Sequence, residues 1–309
     1  MKNQQLWGID LGGTKIEGVI LESAANPVVV YRNRIPTEAE KGYDHVLNQL
    51  ARLVQDMKNQ SRHPVLRLGI GTPGTIDPVT RLLKNSNSVS LNGKPLKEDI
   101  EKLLQLPVNM ANDANCFALA ETKMGVVSET YPEAEVVFGV ILGTGVGGGI
   151  VINGNVLNGH HGIAGEWGHN FLDDSGGPCY CGKTGCVEKI LAGPSLERFY
   201  ESLTGSKKVL KEIYNLSLSG TDEAAKQTMQ RLTHFFGLGL SVVMNILDPD
   251  VVVVGGGVGN IDLIYSEGVV SLKKYLFNPR LETPVLKPKL GDSAGVFGAA
   301  FLGQLEDKV

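Results

Sequence analysis

No apolar run in the 309 residues reaches the ~18 needed to span a bilayer. The opening Met1-Lys2-Asn3-Gln4-Gln5 has no leader pattern and runs straight into a strand-like segment. A cytoplasmic location is therefore expected. There is no basic block and the net charge is −4, which argues against nucleic acid as a main partner. Low-complexity segments are lacking too. Cysteine is scarce: Cys116, Cys179, Cys181 and Cys186 are the full set. The last three fall within eight residues, which in a reducing compartment reads as metal binding before disulfides.

Glycine, by contrast, is plentiful. The chain has 39, against roughly 22 at the average of roughly 7%. They do not recur at every third position, so a collagen-like chain is excluded. They cluster between apolar runs, where backbone turns sharply or approaches a ligand. Hydrophobic residues at 42% and charged residues at 20% suit a globular protein, and the length suggests two domains.

Residues 6–11 and 16–21 read as strands joined by Gly12-Gly13-Thr14-Lys15, with a third strand at 27–34. Val46, Leu50, Leu53, Val54 and Met57 stand at helical spacing and predict a helix over 43–58. A strand at 66–70 enters Gly71-Thr72-Pro73-Gly74. A helix near 96–105, a strand at 107–110 and a helix after Asn112-Asp113 follow. The second half repeats the opening: a strand at 136–142, a glycine loop at 143–149 and a returning strand at 150–153, with Asn153-Gly154 as a hairpin turn. A glycine- and cysteine-rich loop fills 158–187. Helices are predicted at 194–203 and 223–247, a buried strand at 250–254 and a last helix at 294–305. Strand–glycine loop–strand thus occurs twice. A dinucleotide-binding unit differs, because its glycine loop leads into a helix. Two similar α/β domains around a cleft are the expectation.

Five stretches can carry chemistry. In Asp10-Leu11-Gly12-Gly13-Thr14-Lys15 a tight turn can aim backbone N–H groups at a phosphate, and Asp10 can hold magnesium through water; a plain hairpin would look the same. Gly143-Thr144-Gly145 opens a second such loop, and pairing strengthens both. Gly255-Gly256-Gly257 lies between a buried strand and a helix, where it suits phosphate or close packing. Asn112-Asp113 reads as a helix N-cap or as a general base that orients a hydroxyl in phosphoryl transfer. The most specific stretch joins Glu166-Trp167-Gly168-His169 to Cys179, Cys181, Cys186 and Glu188. One histidine and three cysteines match a closed, structural zinc site. It would brace a loop whose carboxylates Glu166 and Glu188 suit a polyol. Cys116 reads as an ordinary core residue.

Taken together, DLGGTK at 10–15, GTPG at 71–74, NDANC at 112–116, LGTGVGGG at 142–149, EWGH at 166–169, CYCGKTGCVE at 179–188 and DPDVVVVGGG at 248–257 resemble the ROK family of bacterial repressors, uncharacterised frames and sugar kinases. The resemblance implies an actin-like (ribonuclease H-like) α/β duplication. Its domains would be 1–112 plus 294–309, and 113–293 with the zinc loop, the final helix packing back on the first. It implies ATP-dependent phosphorylation of a hexose with Mg2+, and a homodimer. Asp113 matches the catalytic base. Gly71, Asn87, Asn112, Glu166, His169 and Glu188 match the sugar contacts. Asp10, Gly12, Gly13, Thr14, Lys15, Gly143, Thr144, Gly145, Gly256 and Gly257 fall on the nucleotide side. His169, Cys179, Cys181 and Cys186 match the zinc ligands, with one ring nitrogen of His169 left for the substrate.

The segment LKNSNSVSLNGKPL at 83–96 most resembles bacterial fructokinases or manno(fructo)kinases, which makes fructose the first expected acceptor. N-acetylglucosamine, N-acetylmannosamine or glucose kinases of the same family are the alternatives. Thr72 departs from the usual isoleucine before the proline and adds a hydroxyl near the sugar loop. A sugar-sensing transcriptional regulator is the rival from another class. It would need a helix-turn-helix ahead of a phosphate loop that here begins at residue 10.

Overall fold

The computed structural model describes residues 4–86 and 88–304. In chain order the elements are β1 (Leu6–Leu11), β2 (Lys15–Leu21), β3 (Val29–Pro36), α1 (Tyr43–Gln60), β4 (Leu68–Thr72), β5 (Thr75–Ile76), β6 (Leu83–Lys84), α2 (Leu96–Leu104), β7 (Val108–Asn112), α3 (Asp113–Met124) and α4 (Val126–Thr130). They continue with β8 (Val136–Leu142), β9 (Val146–Ile152), β10 (Asn155–Val156), α5 (Glu188–Leu191), α6 (Gly193–Thr204), α7 (Leu210–Ser219) and α8 (Glu223–Leu247). The chain closes with β11 (Val251–Gly255), α9 (Gly256–Gly259), α10 (Glu267–Lys273), β12 (Val285–Leu286) and α11 (Ala294–Leu302).

The first sheet has the order β3-β2-β1-β4-β7 and the second β10-β9-β8-β11-β12. In the first, β1–β2 and β2–β3 are antiparallel while β1–β4 and β4–β7 are parallel. In the second, β9–β10 is antiparallel while β8–β11 and β11–β12 are parallel. The repeated order is the duplicated α/β fold that the paired glycine turns suggested.

By contacts the chain divides into two compact units. The first is 1–132, 149–164 and 289–309; the second is 133–148 and 165–288. The boundary expected at 112/113 falls inside the first unit, because α3 packs there against α11. A Cβ on Gly298 of α11 would lie 1.8 Å from the carbonyl oxygen of Cys116, so only glycine lets the two helices approach this closely. The segment 149–164 also joins this unit, which the sequence did not suggest.

In the first unit α1 buries Val46, Leu50, Leu53, Val54 and Met57, the five residues at helical spacing. They enter a core with Trp7, Ile9, Leu11, Leu68, Ile70 and Val108 from the sheet. Each such side chain contributes roughly 1.5–3 kcal/mol relative to exposure. Helix α11 is apolar on every side and accordingly buried, in contact with β1, β4 and α3. Its last described turn ends at Leu302, short of the expected residue 305.

In the second unit α8 runs for 25 residues and buries Phe236, Leu240 and Met244. Asp222 caps its start by accepting the Ala225 N–H (2.9 Å). Two further differences from expectation are local. The glycine run 143–149 is not all loop: β9 begins at Val146 and carries Gly147, Gly148 and Gly149 as strand residues, leaving only 143–145 as the turn. Helices α7 and α10 were not predicted. Among the described residues no helix is long and apolar enough to cross a membrane.

Exchanging glycine for alanine inside a helix ordinarily stabilises by about 0.5–1 kcal/mol. At Gly298 the sign should reverse. Gly298→Ala is expected to lose about 1–3 kcal/mol through overpacking, measured by urea denaturation.

Candidate active site

In the first unit three parallel strands end at one edge. Asp10 of β1 pairs in register with Gly71 of β4, and Gly71 and Thr72 pair with Ala111 and Asn112 of β7. This delivers Asp10, Gly71, Asn112 and Asp113 to the same place. Asn112 is the N-cap of α3 and accepts the Asn115 N–H at 2.8 Å. The capping reading therefore holds for Asn112, and Asp113 begins the helix. Asp113 presents its surface to solvent, yet the protein packed around it pushes its carboxyl above the ordinary range. The Ala114 N–H (2.8 Å) partly offsets this. Asp10 is pushed to about 6 by burial first and then by the negative charges of Asp113 and Glu17, against the pull of Lys15 and Arg34. Glu17, almost fully buried, is paired with both Arg32 and Arg34.

The turn between β1 and β2 exposes Gly13 and Thr14 and half-buries Lys15. It is stapled from the side by Thr37, whose hydroxyl donates to the Gly12 carbonyl (2.6 Å) and whose N–H donates to Thr14 (3.0 Å). Nothing in the sequence marked Thr37 for this role. Gly71 faces Cys116, whose thiol is fully buried and pushed up by that burial, as a core residue should be. The Thr72 hydroxyl is spent on its own turn, donating to the Gly74 carbonyl at 2.8 Å. Asn87 lies outside the described residues.

In the second unit Glu166, His169 and Glu188 are half-buried around the cysteine loop. Trp167 anchors the first two. It is buried edge-on to Phe138 and donates its indole N–H to the Gly239 carbonyl of α8 (3.2 Å). Its place inside EWGH was the signal for it, although no anchoring role could be read there. The donor atoms of His169, Cys179, Cys181 and Cys186 all lie within 4.8 Å of one another. Cys181 and Cys186 sulfurs are 3.6 Å apart, and Cys179 sulfur is 3.7 Å from His169 Nδ1. These match the edges, about 3.8 Å between sulfurs, of a tetrahedron built on a zinc–sulfur bond of about 2.3 Å. The four residues can thus hold a tetrahedral zinc ion through Nδ1. The other nitrogen, Nε2, faces away from the thiols and lies 2.9 Å from the Tyr180 hydroxyl.

The turn 143–145 is held by the segment that follows the cysteine loop. Glu188 accepts the Val146 N–H at 3.0 Å, and Gly193 donates to the Gly143 carbonyl at 2.9 Å. Gly256, at φ +82°, lies against Leu142, while Gly257 is open. A cavity of about 450 Å³ adjoins Gly193, lined by Pro194, Glu197, Arg198, Lys207, Lys208 and Val209.

Comparison with known proteins gives the family and the fold. The family model described as "ROK family" matches residues 6–306. The chain is 37% identical over 307 residues to an N-acetyl-D-glucosamine kinase of Vibrio atlanticus, covering 96% of this chain and 98% of that one. The ROK hexokinase of Thermus thermophilus superimposes with a TM-score of 0.87 at 31% identity over 99% of both chains. A ROK family glucokinase from Streptomyces griseus, solved with glucose and AMPPNP, gives 0.75 at 27% identity, covering 97% of this chain and 99% of that one.

The raised pKa of Asp10 has a consequence for stability. The folded state binds its proton more tightly than the unfolded chain, whose value is 3.8. The resulting stabilisation is complete below about 3.8 and is lost as pH rises through about 6. Asp10→Asn should therefore stabilise the ligand-free protein at pH 8 by on the order of 2 kcal/mol. The gain should vanish near pH 4. Denaturation curves of both proteins at the two pH values check this.

Proposed function

The chain belongs to the ROK family, and on that premise we propose that it transfers the γ-phosphoryl group of ATP to a hydroxyl of a hexose. The observation that carries the reading is Asp113. It is a solvent-reachable carboxylate, raised by its surroundings, at the first position of α3 and beside the strand end that bears Asp10. A base of raised pKa can take the acceptor proton as the new oxygen–phosphorus bond forms and the bond to the β-phosphate oxygen breaks, releasing ADP.

The remaining roles follow from chemistry. Asn112, Glu166 and Glu188 offer donors and acceptors to sugar hydroxyls, with Gly71 and Asn87 as further contacts, and His169 joins them through Nε2 when a sugar hydroxyl takes the place of Tyr180. Gly12, Gly13, Thr14 and Lys15, and Gly143, Thr144 and Gly145, offer amides, hydroxyls and one ammonium to phosphates. Gly256 and Gly257 lie on the same nucleotide side. The cavity beside Pro194 suits the base end of the nucleotide, since Gly193 ties it to the Gly143 turn. Asp10, a desolvated carboxylate beside a second one, fits a Mg2+ ion held through water, which would supply charge neutralisation on the phosphates.

The acceptor is assigned more coarsely. Fructose, phosphorylated to fructose 6-phosphate, rests on the resemblance of segment 83–96 alone. The relatives that act as N-acetyl-D-glucosamine kinases favour N-acetyl-D-glucosamine over it. Thr72 favours neither, because its hydroxyl is satisfied within its own turn. An ADP-release assay across fructose, N-acetylglucosamine, N-acetylmannosamine, mannose and glucose decides between them. Failure of all five would defeat the hexose assignment. With the best acceptor, Asp113→Asn should fold and bind sugar within about threefold of the parent while kcat falls by about 10²–10⁴.

Zinc at His169, Cys179, Cys181 and Cys186 is the second part of the proposal. All four positions come from protein, so its role is to brace the loop. Metal analysis should find about one zinc per chain. Cys181→Ser should lose it, with a lower melting temperature and weaker sugar binding together. Full activity in metal-free protein would count against this.

A further inference from the structure

Val146 is the point where the turn 143–145 touches the residues assigned to the acceptor. Its N–H donates to Glu188 Oε2 at 3.0 Å. Its carbonyl lies against Gly168, where a Cβ would come within 2.0 Å of the oxygen. Gly145 leaves room for the same carboxylate, since a Cβ there would stand 2.6 Å from Glu188 Oε2. The main chain of Glu188 is itself fixed, its carbonyl accepting the Ser195 hydroxyl at 2.9 Å. Gly193 holds the other end of the turn through the Gly143 carbonyl at 2.9 Å. One short segment, 188–193, thus grips the turn at both ends.

We propose that Glu188 is a positioning residue for the nucleotide as well as an acceptor contact. Its carboxylate sets the 143–145 turn through the Val146 amide, so that acceptor and nucleotide tighten each other's binding. This rests on the reading of the site as that of a hexose kinase. A carboxylate has about four acceptor positions, so a sugar hydroxyl and the Val146 amide can share it. The charge-assisted bond to the amide is about twice as strong as a neutral one. An acceptor that orders the carboxylate therefore orders the turn, and by linkage the nucleotide does the same for the acceptor.

The test has two arms. In the first, without sugar, Mg-ADP binding is measured by calorimetry and amide hydrogen exchange over 143–147 by mass spectrometry. Glu188→Ala is expected to bind Mg-ADP about threefold to tenfold more weakly and to exchange faster over the turn, because Val146 loses its acceptor. Glu188→Gln keeps an oxygen for that amide and should retain parent-like exchange. In the second arm the best hexose is added. The parent should bind Mg-ADP at least about fivefold more tightly with sugar than without. Gly145→Ala, whose Cβ meets only the end of a flexible side chain, should fold and show less than about twofold.

Unchanged nucleotide affinity and turn exchange in Glu188→Ala would overturn the proposal, as would parent-like coupling in Gly145→Ala. If the first arm behaves as expected but no hexose is phosphorylated, the acceptor class fails while the grip on the turn stands.

Discussion

Two carboxylates brought to one end of a parallel sheet are the constraint around which the first unit is arranged. Strands β1 and β7 flank β4 in the same direction, so Asp10 and Asp113 reach a common edge and Asp10 feels the charge of Asp113. Neither can be moved without changing the strand order. The surroundings make the placement worse as well as better. Desolvation by the surrounding protein raises both carboxyls and Glu17 adds a third negative charge, whereas Lys15 and Arg34 pull Asp10 down. Arg34 is already committed to Glu17, through Nη2 at 2.6 Å. The balance of these charges leaves both carboxyls above their ordinary range.

The elements that follow a simple period were the legible ones. Helix α1 shows its buried stripe, and β1, β8 and β11 are apolar runs that end in glycine turns. The duplication was legible because the same strand–turn–strand pattern occurs twice. The cysteine loop could be read because ligand spacing is a local property: Cys179, Cys181 and Cys186 lie in one tight turn. Asn112-Asp113 was legible only as a pair of alternatives, cap or base; the fold makes Asn112 the cap, and Asp113 opens the helix and accepts the Ala114 N–H.

What could not be read depends on partners far apart in the chain. Thr37 staples a turn more than twenty residues before it, Trp167 finds its acceptor on α8, and Glu188 reaches back to Val146. The glycines show the same limit. They cluster at turns, as expected, but Gly298 serves to bring α11 against α3. Periodicity has no signal for that, because the second backbone lies elsewhere in the sequence. The domain boundary moved for the same reason: α3 follows β7 directly, and it is α11 that holds it in the first unit.

The duplication also shows where the two halves diverged. The sheets share one strand order, and each carries its glycine turn after the first strand. The turn of the first unit is fastened by a neutral hydroxyl, Thr37, close to the strands it follows. The turn of the second is fastened by a carboxylate that ends the cysteine loop. A hydroxyl staple only holds a shape. A half-buried carboxylate holds a shape and can also accept hydrogen bonds from a ligand, so the second turn can respond to what binds while the first stays fixed. The clustered His169, Cys179, Cys181 and Cys186, whose donor atoms lie within 4.8 Å of one another, precede Glu188 in the chain. A carboxylate has to be mounted rigidly if its orientation is to be passed on to the turn it holds.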